Sequence, residues 1–505
     1  MNFLQLLNGA EVLSQSGNPG VSGMEYDSRR VHAGDVFVAM RGESSDGNKF
    51  IDKAIAAGAV AVVTDSANEQ PRPNVAWAQV LHGRRALARL SANFYKRPAE
   101  RLAITGITGT NGKSTTTFLL ESILKSAGRK SALIGTIEYH VAGKTLPAPH
   151  TTPEALELNQ RLAESLGTGA TEAVMEVSSH ALTQQRVFAI PFDVAVFTNL
   201  TRDHLDYHQT MNDYFEAKQT LFTGCGTDPP RAAVINGDDE YGQKLMKVSS
   251  KHGSRVLSYG FSSGNVHATE VQITQRGTRF QLIMPEGTIP IWSPLLGKVN
   301  VYNILAAAAA SYARDCSSEA IAQGVASLAR VPGRFERVDC GQPFTVVVDY
   351  AHTDDALRNL TVLAREFVAQ AGQKGQVITV FGCGGDRDRA KRPLMGEAAG
   401  RDSDFVVLTS DNPRSEDALA IINDAVVGLQ RSGAKYTIEP DRRAAIVLGI
   451  GHARPGDIVL LAGKGHEKVQ VTRDGPIPFD DVEVAMQVLR QTGYECGEVK
   501  ATGAG

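Results

Sequence analysis

The stretch Gly106-Ile107-Thr108-Gly109-Thr110-Asn111-Gly112-Lys113-Ser114-Thr115 follows the apolar run Leu102–Thr105 and leads into a helix-like pattern through Leu124. Strand, glycine-rich loop and helix in that order make a phosphate cradle. Glycines let backbone N–H groups turn toward phosphate oxygens, and the helix N-terminus adds partial positive charge. In such a loop a lysine placed as Lys113 reaches the β- and γ-phosphates, and the hydroxyl at Ser114 is a ligand for Mg2+. The usual pattern has a glycine five positions before Gly112, where this chain has Ile107, so the loop is a shortened variant running from Gly109 to Thr115. A bound polyphosphate calls for metal, and two further candidate ligands follow other strand-like runs. Glu176 ends one of them, and His204 lies in Thr198–His208 after another. A carboxylate and an imidazole at adjacent strand ends, beside a phosphate loop, can face one site. His180 and His208 are further candidates there.

The elements that must position these groups are short apolar runs: Ala59–Thr64, Leu102–Thr105, Ala173–Val177, Val194–Thr198, Ala232–Ile235, Thr345–Val348, Val377–Phe381, Phe405–Leu408 and Ile458–Leu461. Each leads through a polar or glycine-rich loop into a helix-like pattern, which predicts α/β units with mostly parallel sheets covered on both faces. Arg255 to Ile291 alternates more and turns at Arg276-Gly277-Thr278, so it reads as an antiparallel excursion, followed by an Ala-rich helix over Val301–Arg314. Proline-bearing breaks at Lys96–Glu100 and Arg330–Gly333 predict three domains, 1–99, 100–332 and 333–505.

Composition narrows the function classes. Lys and Arg number 52 against 55 Asp and Glu, a formal charge of −3, so no nucleic-acid partner is expected. Hydrophobic residues at 42% are too many for a mainly disordered chain. The five cysteines are scattered without a C-x-x-C pair, which suggests neither a zinc ribbon nor a disulfide framework. Met1–Asn8 does not read as a signal peptide, and no apolar run approaches the ~18–20 residues of a membrane span. A soluble, cytoplasmic protein is expected. Gly382-Cys383-Gly384-Gly385-Asp386-Arg387 misses the dinucleotide fingerprint because its last position is Arg387, so NAD binding is rejected.

With these motifs in place, the chain resembles the Mur ligases of bacterial cell-wall synthesis. The likeness runs from Tyr26-Asp27-Ser28-Arg29-Arg30 to Phe479-Asp480-Asp481 and includes Asp349-Tyr350-Ala351-His352, Asp411–Arg414 and Gly463–Glu467. The resemblance implies an N-terminal α/β nucleotide-sugar domain, a central P-loop ATPase and a C-terminal Rossmann-like domain that brings an amino acid. It implies ATP and Mg2+ as cofactors, with Asn303, Arg334 and Asp349 near the nucleotide. It implies UDP-MurNAc-L-Ala-D-Glu as one substrate, held by Tyr26 and Ser28 with Glu43-Ser44-Ser45 nearby, and by Thr151, Thr152, Ser178, Gln184 and Arg186. It implies meso-2,6-diaminopimelate as the other, recognised by Arg387, Asp411, Asn412, Pro413, Arg414, Gly463 and Glu467. It implies that Lys218 is carboxylated and, with Lys113, Glu176 and His204, catalytic; Ser114, Glu176, His204 and Lys218 would be the metal ligands. By residue type alone, Lys218 reads as an exposed lysine on a helix over Tyr214–Leu221. A monomer is expected. The chain departs from the family pattern at Asp354, where proline is usual, at His150, where some relatives have asparagine, and at Glu43-Ser44-Ser45.

The implied chemistry accounts for the residue types. A carboxylate does not acylate an amine in neutral water until its oxygen becomes a better leaving group, which phosphorylation by ATP provides. Bringing an anion to a polyanion then requires concentrated positive charge. Diaminopimelate differs from lysine by a distal carboxylate beside its distal amine, a group that the forked guanidinium of Arg414 fits, with Arg387 as a second cation and Glu467 as acceptor for the ammonium. The plain alternative for Arg414 is a surface ion pair with Glu416 or Asp417. The competing functions are a lysine-adding member of the same family, a folylpolyglutamate synthetase-like ligase, and a nucleotide-binding switch without catalysis.

Overall fold

The computed structural model describes residues 1–42, 45–262, 264–370 and 375–495. Glu43 and Ser44, singled out above, lie outside these, as does Cys496. Among the described residues three large sheets follow one another along the chain. A five-stranded sheet is formed within the first 80 residues, with Val12–Ser16 antiparallel on one edge and the other four strands parallel. An eleven-stranded sheet follows between Ala103 and Ser293, and a six-stranded one between Glu336 and Ala462.

The centre of the eleven-stranded sheet is parallel, with Val194–Phe197, Ala103–Thr108, Glu172–Glu176 and Ser131–Ile134 side by side. Successive residues pack on opposite faces: Val194 and Val196 join one core cluster, Ala195 and Phe197 the other. That alternation within wholly buried strands is why the runs read as apolar throughout. The expected antiparallel excursion holds for Val266–Thr274, Gly277–Met284 and Gly287–Ser293. Its first part does not: Arg255–Gly260 pairs parallel with Ala232–Asn236, as a continuation of the α/β pattern. Its burial is mixed, exposed at Arg255 and buried only at Leu257, Tyr259 and Gly260, which mimics the alternation of a hairpin strand.

In the six-stranded sheet Glu336–Val338 is antiparallel to Thr345–Asp349, and the remaining strands run parallel. Asp349 and Ala462 are register partners, so the loops after Thr345–Asp349 and Ile458–Ala462 leave the sheet side by side. Cys340 is disulfide-bonded, while Cys225, Cys316 and Cys383 are free and buried. Among the described residues no helix is long and apolar enough to cross a membrane.

Candidate active site

The phosphate loop leaves the sheet at Thr108, between the ends of its two neighbours. Glu176 is the register partner of Ile107, and Phe197 that of Thr108. The groups nominated after separate strands therefore surround one crevice at the carboxyl edge of a parallel sheet, where α/β folds bind ligands. Gly109 and Gly112 both have positive φ, and each is pressed against a neighbour. A Cβ at Gly109 would lie 1.9 Å from the Thr198 hydroxyl, and one at Gly112 would lie 2.4 Å from the Asn303 amide oxygen. Asn303 thus touches the loop from the long buried helix Lys298–Ala313. Thr110 donates its backbone N–H to the Asn199 carbonyl at 2.9 Å, and Asn111 to the Asn199 side chain at 2.9 Å, which hold the loop against the next strand's exit. Ser114 and Thr115 are buried at the start of the helix Lys113–Ser126.

Two amines meet at one carbonyl. Lys113 donates to the Gly109 oxygen at 3.1 Å and to the Thr110 oxygen at 2.9 Å, and Lys218 donates to the same Gly109 oxygen at 2.9 Å. Lys218 is only 1% exposed, which rules out the plain surface reading. On the helix Met211–Thr223 it shares the buried stripe with Tyr214, Leu221 and Phe222, at helical spacing. Its Nζ lies 4.4 Å from the centre of the Tyr214 ring. Burial lowers the pKa of both amines, and for Lys218 the Lys113 charge adds to a fall well below the ordinary range.

His204 has φ 54° and its backbone N–H bonds the Asp203 carboxylate at 3.0 Å. Its ring packs edge-on against His180 at 4.8 Å, and His208 stacks on Tyr214 while its Nε2 meets the Ser179 hydroxyl at 2.8 Å. Burial pushes His204 down to about 3 and His208 to about 4, so both rings are neutral at ordinary pH. Glu176 is buried, its carboxylate accepting from the Thr136 N–H at 2.8 Å and the Thr136 hydroxyl at 2.9 Å. Among the described residues no three His, Cys, Asp or Glu side chains form a preassembled metal site. The Ser114 hydroxyl and Glu176 carboxylate nevertheless offer the hard oxygen donors that suit Mg2+. Lys218 as a free amine does not fit a cation; only an anionic form of its side chain would.

The residues nominated for the sugar-peptide substrate form two groups. Thr152 donates to the Glu176 carbonyl at 2.8 Å and accepts from the Ser178 N–H at 3.1 Å. Arg186 donates to the Thr152 carbonyl at 2.9 Å and the Gln184 side chain at 2.7 Å, and Thr151 meets the Thr136 hydroxyl at 3.1 Å. Five nominated residues thus share one lip of the crevice. Tyr26 and the buried Ser28 belong to the first sheet's unit, and the Tyr26 hydroxyl donates at 3.0 Å to Glu157 on the helix Ala155–Gly167, three residues from the Glu154 that pairs with Arg186.

From the third sheet's unit, Arg334 crosses to the phosphate loop, donating to the Ser114 hydroxyl at 3.3 Å with its guanidinium 4.5 Å over the Tyr350 ring. Asp349 is held by the backbone N–H groups of Phe335 at 2.6 Å and Ala351 at 2.8 Å, and burial raises its pKa. Gly463 donates to the Asp349 carbonyl at 3.0 Å, which ties a residue nominated for the nucleotide to one nominated for the amino acid. There, Asn412 donates to Glu467 at 2.9 Å, beside Asp411 and Pro413. Arg414, at φ 53°, donates to the Gly385 carbonyl at 2.7 Å, and the exposed Arg387 to the Asp386 carbonyl at 2.9 Å. Glu416 pairs instead with Arg392 at 2.7 Å, and Asp417 caps the helix Ala418–Ser432, so the plain alternative for Arg414 is not formed. Neither Arg387 nor Arg414 has an ion-pair partner among the described residues.

Sequence reasoning missed several groups here. Asp203 receives Lys391 at 3.4 Å and approaches the His352 ring at 3.8 Å; burial alone would raise its pKa, but the Lys391 charge, with the His204 and His352 contacts, holds it well below the usual carboxylate range. Glu154 pairs with Arg186 at 2.9 Å and with Arg84 at 3.5 Å. Lys464 is wholly buried. Asp203 and Lys464 stand next to nominated residues, but nothing in a single sequence separates a buried lysine from an exposed one unless its helical stripe is followed, as it could have been for Lys218.

Residues 20–95 match the Mur ligase family catalytic domain, 107–311 the Mur ligase middle domain, and 333–465 the Mur ligase glutamate ligase domain. A relative from Solibacter usitatus, a UDP-N-acetylmuramoyl-L-alanyl-D-glutamate–2,6-diaminopimelate ligase, is 54% identical over 475 residues, 94% of each chain. A solved structure of a ligase of the same name is 34% identical, covers 94% of this chain and 96% of its own, and has a TM-score of 0.65. The MurF ligase from Thermotoga maritima in complex with ADP shares the fold at 19% identity and a TM-score of 0.63, over 93% of this chain and 97% of its own.

Proposed function

The chain belongs to the Mur ligase family, and from that premise we propose that it joins meso-2,6-diaminopimelate to UDP-MurNAc-L-Ala-D-Glu at the expense of ATP, in peptidoglycan precursor synthesis. The observation that carries the chemistry is the convergence of Lys113 and Lys218 on the Gly109 carbonyl at the mouth of a phosphate loop. The choice of amino acid is supported by Arg414 and Arg387, which hydrogen-bond carbonyl oxygens and so keep guanidinium charge for a substrate carboxylate.

The reaction has two steps. A substrate carboxylate oxygen attacks the γ-phosphorus of ATP, and the bond to the β-γ bridging oxygen breaks, giving ADP and an acyl phosphate. The amine of diaminopimelate then adds to the acyl carbon, loses a proton, and inorganic phosphate leaves with the bond pair. In the first step Lys113 leaves its loop carbonyls to meet the phosphates, and Arg334 brings a second cation across the Ser114 hydroxyl. The glycine-rich loop and the start of the helix Lys113–Ser126 hold the phosphates with backbone N–H groups. Thr152, Ser178, Gln184 and Arg186 position the peptide end, and Tyr26 and Ser28 the nucleotide end. Ser114, Glu176, His204 and a carboxylated Lys218 would hold Mg2+, which supplies positive charge against the phosphate oxygens. The depressed pKa of Lys218 supports carboxylation, because a neutral amine is the form that adds to CO2. The division at 1–99, 100–332 and 333–505 gives each substrate its own domain, with closure bringing amine and acyl carbon to ~3–3.5 Å. The chain would work in the cytoplasm as a monomer, without nucleic acid.

The test is phosphate release in the presence of ATP, Mg2+ and the sugar-peptide, with one amino acid added at a time. Release with diaminopimelate and not with lysine is expected. Release with lysine alone would make the chain a lysine-adding ligase, and release with neither would leave a nucleotide-binding switch.

A further inference from the structure

The loop proposed to read the amino acid contains a buried cation that the reading above leaves without a role. Lys464 is 0% exposed and follows directly on Gly463. Its ammonium donates to the Asn412 amide oxygen at 2.9 Å, to Glu467 Oε2 at 3.2 Å and to Asp411 Oδ1 at 3.4 Å. Every one of these acceptors belongs to a residue proposed to face diaminopimelate. The bonds are also one-sided. Glu467 Oε2 takes both Lys464 and the Asn412 amide, and Glu467 Oε1 has no hydrogen-bond partner among the described residues. Asp411 Oδ2 is likewise without one. One ammonium thus holds one oxygen of each carboxylate and leaves the other without a hydrogen bond among the described residues.

We infer that Lys464 is a positioning and specificity-determining residue for the amino-acid substrate. It offsets one of the two carboxylate charges of Asp411 and Glu467, so that the acceptor cluster carries a single net negative charge. A single charge matches the single ammonium at the distal end of diaminopimelate, while Arg414 and Arg387 meet the carboxylate beside it. Removing the Lys464 charge leaves two carboxylates facing each other and frees their orientation. The cluster then favours a bare distal ammonium, as in lysine, over an ammonium bearing a neighbouring carboxylate. The inference rests on the proposed use of diaminopimelate.

Lys464→Met and Lys464→Gln test it in the full-length enzyme, the second keeping an amide donor without charge. The parent protein is assayed first, and failure there to use diaminopimelate would sink the functional reading and not the inference alone. With an active parent, both variants should raise KM for diaminopimelate roughly tenfold or more and lower the preference for diaminopimelate over lysine at least as much. KM for ATP and for the sugar-peptide should stay within about twofold. An unchanged KM for diaminopimelate, or a parallel rise in all three KM values, would overturn the inference. Loss of the folded state in both variants, read by thermal melting, would make Lys464 a structural brace and overturn it as well.

Discussion

At the level of single residues, the site separates groups that hold the backbone from groups left for a ligand. Arg414 does both, because it bonds backbone carbonyls and, under the proposed function, keeps its charge for a substrate carboxylate. It is held at positive φ, donates to carbonyl oxygens, and has burial and the nearby Arg387 charge lowering its pKa. Arg414→Ala should raise KM for diaminopimelate by roughly 10–100-fold, the worth of a charge-assisted bond, with KM for ATP unchanged. An equal loss for both substrates would remove its assigned role. Lys218 is the second test. If its carbamate is an essential anion, Lys218→Ala should lower kcat by about 100-fold or more, and added short carboxylates should restore part of it. Full activity of the untreated variant would show that no carbamate is needed.

At the level of elements, the phosphate-loop helix is braced from outside the site. His140, on the strand Glu138–Val141, places Nδ1 2.8 Å from Glu121 on the helix Lys113–Ser126 and Nε2 2.9 Å from Glu138. Burial alone would lower its pKa, but the two carboxylates outweigh it and raise it to about 9. A histidine with a raised folded-state pKa contributes stability that is fully present below its ordinary value of 6.5 and is lost as pH rises through about 9. Melting followed from pH 6 to 10 should show the parent losing about 2–4 °C more than His140→Gln over that range, given ~1 kcal/mol for a partly exposed group. Identical pH dependence in the two proteins would show that the triad contributes nothing. A fully buried Arg442–Asp481 pair at 2.6 Å plays a comparable part in the third sheet, where Arg442 also donates to the Ala462 carbonyl just before Gly463.

At the level of the whole molecule, the site is complete only where units meet. Arg334 reaches Ser114, Asn111 donates to Asp355 at 3.0 Å, and adjacent residues of opposite charge face a complementary pair. Arg202 meets Asp388 at 3.3 Å and Asp203 meets Lys391 at 3.4 Å. If these pairs hold the closed arrangement, Arg202→Asp and Asp388→Arg should each lower kcat a fewfold, and the double exchange should recover most of it, as fits a half-exposed pair worth up to ~1 kcal/mol. A double variant as poor as either single one would deny the pair that part.

Much of this was legible before folding. The phosphate loop, the strand ends carrying Glu176 and His204, and the α/β pattern all depend on local order along the chain, because glycine placement and apolar runs act within a few residues. The residues nominated for the sugar-nucleotide and the amino acid came from resemblance, not from periodicity. What only the tertiary structure decided is which polar groups lose their water. Lys218, Asp203 and Lys464 look like any surface charges in sequence, and their altered pKa values or enclosed hydrogen bonds arise only when helices and loops from distant parts of the chain close over them. Burial is a property of the whole packing; the helical stripe shared with Tyr214, Leu221 and Phe222 hints at it for Lys218, but no local pattern does so for Asp203 or Lys464.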